Sequence, residues 1–109
     1  MLRPTALAFV ILFATAAAAA AQDVAKGQQV FTEQKCSLCH SLAGKGNAKG
    51  PLDDVGSKLS PAEIREWITD PKGMTAKTKA TRKPEMKSYM LPKDDLDALV
   101  AYMLSLKKK

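Results

Sequence analysis

The stretch Cys36-Ser37-Leu38-Cys39-His40 decides how the rest of the chain is read. It holds both cysteines and the one histidine of a 109-residue sequence. Given Cys36, the chance of the second cysteine falling at one specified place with the histidine directly after it is roughly one in ten thousand. The pattern C-x-x-C-H suits one chemistry. Two thiols three positions apart reach the two vinyl groups on one edge of a porphyrin and form thioethers. The histidine after the second thiol is then carried under the iron as its proximal ligand. These five residues read as the covalent attachment site of one haem c, with His40 on the metal.

Competing chemistries explain fewer of the residues. A structural zinc site takes four Cys or His ligands, and this chain has three such side chains. The nearest acidic pair, Asp53-Asp54, lies beyond a glycine-rich loop. A disulfide between Cys36 and Cys39 closes too short a loop to stabilise much and leaves His40 unexplained. A thioredoxin-like C-x-x-C sits at a strand-to-helix junction in a βαβ setting, and no stretch here alternates in the strand manner over a useful length.

Working outward from the motif, three stretches carry helical signals. The first runs from about Val24 to Gln34, with Val24, Gly27 and Phe31 on one face and Asp23 as N-cap. The second begins at Ser60-Pro61-Ala62-Glu63, a capping box with proline in the first turn. Ile64, Trp67 and Ile68 give it an apolar stripe until Pro71 stops it. The third starts near Pro92, with Leu96, Leu99, Val100, Met103 and Leu106 on one face. Its acids Asp94, Asp95 and Asp97 are expected in the first turn and Lys107 to Lys109 at the end, both favourable for the helix dipole. Residues 43–56 and 71–84 are expected as long loops. Three short helices and two long loops bury too little surface for a unique fold of this size, so a cofactor must supply the rest of the core.

Residues 1–21 read as a secretory signal: Arg3, an apolar run from about Ala6 to Phe13, and an alanine tract ending at Ala21. An uncleaved anchor is the alternative, since Pro4 to Ala21 carries no charge and sits at the lower edge of bilayer-spanning length. Either way the domain at 22–109 is expected to work outside the cytoplasm, in the periplasm, soluble or tethered. Export removes nucleic acid as the usual partner of a basic chain.

With these residues in view, the chain resembles a class I c-type cytochrome, from about Asp23 to Leu106. The haem motif lies near the mature N-terminus, whereas helical-bundle cytochromes place theirs near the C-terminus. Gly27 and Phe31 match the G-x-x-x-aromatic pattern of the family's first helix, and Leu99-Val100-Ala101-Tyr102 matches its last. Gly50-Pro51-x-x-x-x-Gly56 is similar to the loop whose proline carbonyl accepts the ring N–H of the haem histidine, which implies that role for Pro51. Glu66-Trp67-Ile68-x-x-Pro71 is similar to the family's middle helix, which implies a haem contact for Trp67. The implied fold is all-α, with three main short helices and long loops wrapped around one covalently bound haem.

The resemblance also implies a methionine as second axial ligand, and the lack of another histidine rules out bis-histidine ligation. Met103 lies on the apolar face of the last helix, and Met74 follows the helix-stopping Pro71 too closely. Met86 keeps the aromatic spacing of the family's M-P-x-aromatic pattern through Tyr89, although Lys87 replaces the proline. Met90 is the alternative, closer to the last helix.

Six cations, Lys72, Lys77, Lys79, Arg82, Lys83 and Lys87, lead into this segment against one acid, Glu85. Such a run is either a solvated face or a surface that docks acidic redox proteins. The implied function is one-electron transfer by a periplasmic monomer that is not an enzyme. The alternatives are a haem subunit of a larger oxidoreductase complex and an open-site haem sensor or peroxidase.

Overall fold

The structure is a computed structural model that describes residues 23–107. The expected export segment at 1–21 and the last two lysines lie outside the described residues. Within them the chain is helical at 23–33 (α1), already running at Asp23, so a cap at that residue is not seen. A 3-10 turn at Cys36–Leu38 follows, then β1 (Ser41–Leu42), β2 (Lys45–Gly46), α2 (Val55–Lys58), α3 (Pro61–Thr69), α4 (Pro71–Thr78) and α5 (Lys93–Ser105).

The core forms where α1, α3 and α5 meet. Val30 and Phe31 from α1, Ile64 and Ile68 from α3, and Leu99, Val100 and Met103 from α5 make one buried cluster. Of the stripe positions expected on the last helix, Leu99, Val100 and Met103 are buried, joined by Ala98, whereas Leu96 is partly buried and Leu106 lies past the helix end. Gly27 is the closest point of the α1–α5 crossing. A Cβ there would run into the Ala98 carbonyl and stand 2.6 Å from Tyr102 Cβ. The same crossing sets Phe31 against Tyr102 edge to face, centroids 5.9 Å apart. Both contacts agree with the helix pairing implied by the sequence. Nine apolar side chains are buried among the described residues, a thin core for a domain of this size.

α3 opens as expected. Ser60 Oγ accepts from the Glu63 N–H, and Glu63 Oε1 accepts from the Ser60 N–H at 2.9 Å. That bond holds the Glu63 carboxyl below its ordinary pKa. Arg65 then ties α3 to α5 through Asp97 at 2.7 Å. Asp97 therefore serves this link and one to Lys93 rather than the first turn of α5, whose acids are Asp94 and Asp95. No basic residue falls in the last turn of α5, since Lys107 lies past its end.

Two local expectations are corrected. Residues 71–84 are not all loop, because α4 occupies Pro71–Thr78. Pro71 ends α3 and also begins the next helix at a first-turn position, where a missing N–H costs nothing. Asp70 caps it by accepting from the Gly73 N–H, and Met74 is its buried apolar anchor. The second correction is a small antiparallel hairpin pairing Ser41 with Gly46 and Leu42 with Lys45. Ala43 (φ 51°) and Gly44 (φ 78°) form its turn with two left-handed residues, the backbone a tight hairpin needs. Two-residue strands are too short for alternation to register in a sequence. The irregular stretch that remains, 79–92, carries Met86 and Met90.

Candidate functional site

One turn presents the motif. The N–H groups of Cys39 and His40 both donate to the Cys36 carbonyl, at 3.1 and 2.9 Å. This folds the two thiols and the imidazole onto one wall of a cleft of about 1170 Å³, counting the part open to solvent. The same cleft is lined by Trp67 and Ile68 of α3, Leu99 and Met103 of α5, and Met86 and Tyr89 of the irregular segment. The lining is overwhelmingly carbon, the character of a pocket for a large apolar cofactor. The thin core and the apolar cleft are two views of one fact: the helices leave their remaining apolar surface facing a common space.

Cys36 and Cys39 are not joined to each other. Burial pushes the Cys36 thiol up to about 11, helped by the neighbouring Cys39 and opposed by a backbone hydrogen bond and Lys87. Among the described residues no cluster of His, Cys, Asp and Glu is arranged to hold a bare metal ion. For thioether formation with a haem the two thiols stand at the right spacing beside an apolar wall. The donor set fits the group.

His40 is half-buried, and burial lowers its pKa. The Gly50 carbonyl pulls it back up, and the nearby Arg82 charge lowers it again. The ring is therefore neutral at physiological pH, as an iron ligand must be. With Nδ1 donating to the Gly50 carbonyl at 3.0 Å, Nε2 keeps its lone pair for a metal.

The accepting carbonyl is a correction to the expectation for Pro51. Ser41 and Pro51 form an isolated parallel bridge, in which the Ser41 N–H donates to the Gly50 oxygen and the Leu52 N–H to the Ser41 oxygen. That register turns the Gly50 carbonyl inward and leaves Pro51 exposed. Trp67, by contrast, lines the cleft.

The four methionine candidates separate by place. Met86 lines the cleft that His40 enters. Met90 is 100% exposed. Met74 is packed beneath α4 and takes no part in the lining, and Met103 also lines the cleft but is held in the buried face of α5. Two neighbours of the ligand segment were not singled out as site residues from sequence. Tyr89 anchors it by donating its N–H to the Ile68 carbonyl at 2.9 Å, with Lys87 over its ring. Arg82 donates to the Cys39 carbonyl. The aromatic spacing after Met86 was the available signal for Tyr89; Arg82 had none, being one cation in a run.

Lys72, Lys77, Lys79, Lys83 and Lys87 are all exposed. Lys77 pairs with Glu66 and Lys83 with Glu85, surface pairs worth little. No helix among the described residues is long and apolar enough to cross a membrane.

Comparison with known proteins agrees with this geometry. The family model described as Cytochrome c matches residues 24–107. Cytochrome c oxidase subunit 2 of Alkalihalophilus pseudofirmus is 32% identical over 91 residues, covering 75% of this chain and 25% of that protein. Cytochrome c2 of Blastochloris viridis is 33% identical over 91 residues, 63% of this chain and 70% of the relative. The chain thus spans a quarter of the oxidase subunit's length and most of the cytochrome c2. No solved structure matches.

Proposed function

The chain belongs to the class I c-type cytochromes of the cytochrome c family, haem-based electron carriers with covalently bound haem c, and we propose that it works outside the cytoplasm with His40 and Met86 as axial ligands. In this reading residues 1–21 direct export to the periplasm, and 22–109 are the haem domain, joined to the cofactor through Cys36 and Cys39. The observation that carries the ligand assignment is that Met86 and His40 face one cleft while Met90 stands in solvent.

Bound haem c supplies a one-electron couple, tuned upward by a soft thioether donor. The chain's own residues hold the surroundings still. The Gly50 carbonyl fixes the His40 ring and its tautomer. The Tyr89 N–H to Ile68 carbonyl bond pins the segment after Met86. Trp67, Ile68 and Leu99 keep water from that side of the cleft. An environment that does not rearrange lets an electron enter and leave without breaking a bond, so no side chain needs to move a proton. That favours a carrier over an enzyme.

The partners proposed are redox proteins with acidic docking surfaces, met through Lys72, Lys77, Lys79, Lys83 and Lys87. Similarity to a cytochrome c oxidase subunit and to a cytochrome c2 supports redox proteins as the class. Charge steering predicts that transfer slows steeply as salt is added.

The test is the optical spectrum of the haem-loaded protein, oxidised and reduced, with and without CO. A low-spin spectrum with the far-red sulfur-to-iron band, unchanged by CO, is expected. Met86→Ala should lose that band and Met90→Ala should keep it. High-spin iron or ready CO binding in the unaltered protein would instead favour the open-site sensor or peroxidase.

A further inference from the structure

Arg82 stands out once the site is assembled. It comes from the irregular segment four residues before Met86, yet its Nη2 donates to the carbonyl of Cys39, 43 positions away. Cys39 is the residue that joins the second thiol to His40. The guanidinium also lies against Gly50, where a Cβ would collide with Arg82 Nη1 and with the Cys39 oxygen. Gly50 in turn holds His40 Nδ1. Arg82, Cys39, Gly50 and His40 are therefore one contiguous cluster, closed by a glycine that leaves room for the guanidinium. Arg82 also lines the cleft itself.

No protein carboxylate among the described residues cancels the charge of Arg82. Its hydrogen bond is to a neutral carbonyl. The nearby Glu85 is taken by Lys83 at 3.1 Å. A guanidinium stays protonated throughout the physiological range.

We propose that Arg82 is a positioning residue that raises the reduction potential of the bound haem by holding a permanent positive charge against the loop that carries His40. Uptake of one electron lowers the charge at the iron by one, with no bond made or broken. A fixed cation nearby disfavours the oxidised state more than the reduced one. The inference rests on the electron-carrier reading of the same site.

The test compares midpoint potentials of haem-loaded wild type, Arg82→Gln and Arg82→Lys at low and high salt, with the far-red band recorded for each. Arg82→Gln should shift the reduction equilibrium toward the oxidised form by roughly threefold to tenfold, about 30 to 59 mV for one electron. Arg82→Lys should stay near wild type. The gap between wild type and Arg82→Gln should narrow as salt screens the exposed charge. Lys58→Gln, which removes an exposed cation that takes no part in the cleft lining, should leave the potential in place. If Arg82→Gln yields no holoprotein, Arg82→Leu provides a second neutral variant with an apolar wall.

An unchanged potential in the neutral variants, with the far-red band intact, would overturn the inference. So would an equal drop in Arg82→Lys and Arg82→Gln, since charge would then not matter. Absence of the band in the wild type would count against the carrier reading instead, and is seen before any variant is made.

Discussion

Gly27→Ala puts a number on the α1–α5 crossing. In an ordinary helix interior this change is stabilising by about 0.5–1 kcal/mol, because glycine loses more backbone freedom on folding. Here the new Cβ would stand 2.6 Å from Tyr102 Cβ and 2.8 Å from the Ala98 carbonyl carbon, with its oxygen nearer still. Carbon atoms in good contact sit about 3.5–4.0 Å apart, so the helices must part by roughly 1 Å. Overpacking of this kind costs about 1–3 kcal/mol. Parting also loosens the Phe31–Tyr102 edge contact, a pair worth about 0.5–1.5 kcal/mol beyond its burial. The steric loss exceeds the propensity gain, leaving a net destabilisation of about 1–3 kcal/mol.

The assay is guanidinium unfolding of the haem-loaded protein, read as a lower midpoint at unchanged slope. In a domain of this size each kcal/mol also lowers Tm by about 4–8 °C. Gly44→Ala is the internal control. It has φ +78° and nothing within 4 Å of its added Cβ, so its cost of about 1–2 kcal/mol is conformational alone. Bulk separates the two sites: Gly27→Val should be much worse than Gly27→Ala. A Gly27→Ala protein as stable as wild type, or more so, would refute the close-approach argument.

Two further predictions concern the ligand segment and the acid limit. Met74→Ala should cost about 2–5 kcal/mol in stability through the cavity it leaves, while the far-red band of the folded protein persists, because Met74 packs under α4 and not in the cleft. Loss of the band in folded Met74→Ala would reassign the ligand. Glu63 and Asp97 both have folded pKa values held below the ordinary 4.5 and 3.8: the Ser60 N–H acts on the first, and Lys93 then Arg65 on the second. Their contribution is complete above those ordinary values and is lost as pH falls through the lower folded ones. Unfolding midpoints measured from pH 6 down to pH 2 should drop, and Glu63→Gln should flatten part of the drop, because it removes the titrating carboxyl while leaving an oxygen to accept from the Ser60 N–H. An unchanged acid profile in Glu63→Gln would mean the cap does not hold Glu63 in its charged form.

What was legible in the chain is what depends on near neighbours in sequence. Thioether attachment needs two thiols and a histidine within five residues, so the motif at Cys36 to His40 declares its cofactor without a fold. The capping box at Ser60 and the stripe of α5 follow from interactions three and four positions apart; the box stands in the structure as read, and so do Leu99, Val100 and Met103 of the stripe. α4 is hidden in the sequence although its signals are local, because Pro71 reads first as the end of α3 and the apolar content after it is too low to mark Asp70 as a cap.

The remaining features depend on contacts between distant residues. The parallel bridge between Ser41 and Pro51 decides that the Gly50 carbonyl, and not that of Pro51, meets His40. A place in the cleft lining for one methionine and full exposure of the other separate Met86 from Met90, which four positions of sequence could not. The reach of Arg82 to Cys39 spans 43 residues, and no periodicity encodes it. Local chemistry is written in the order of the residues. Distance across a fold exists only after the helices have packed.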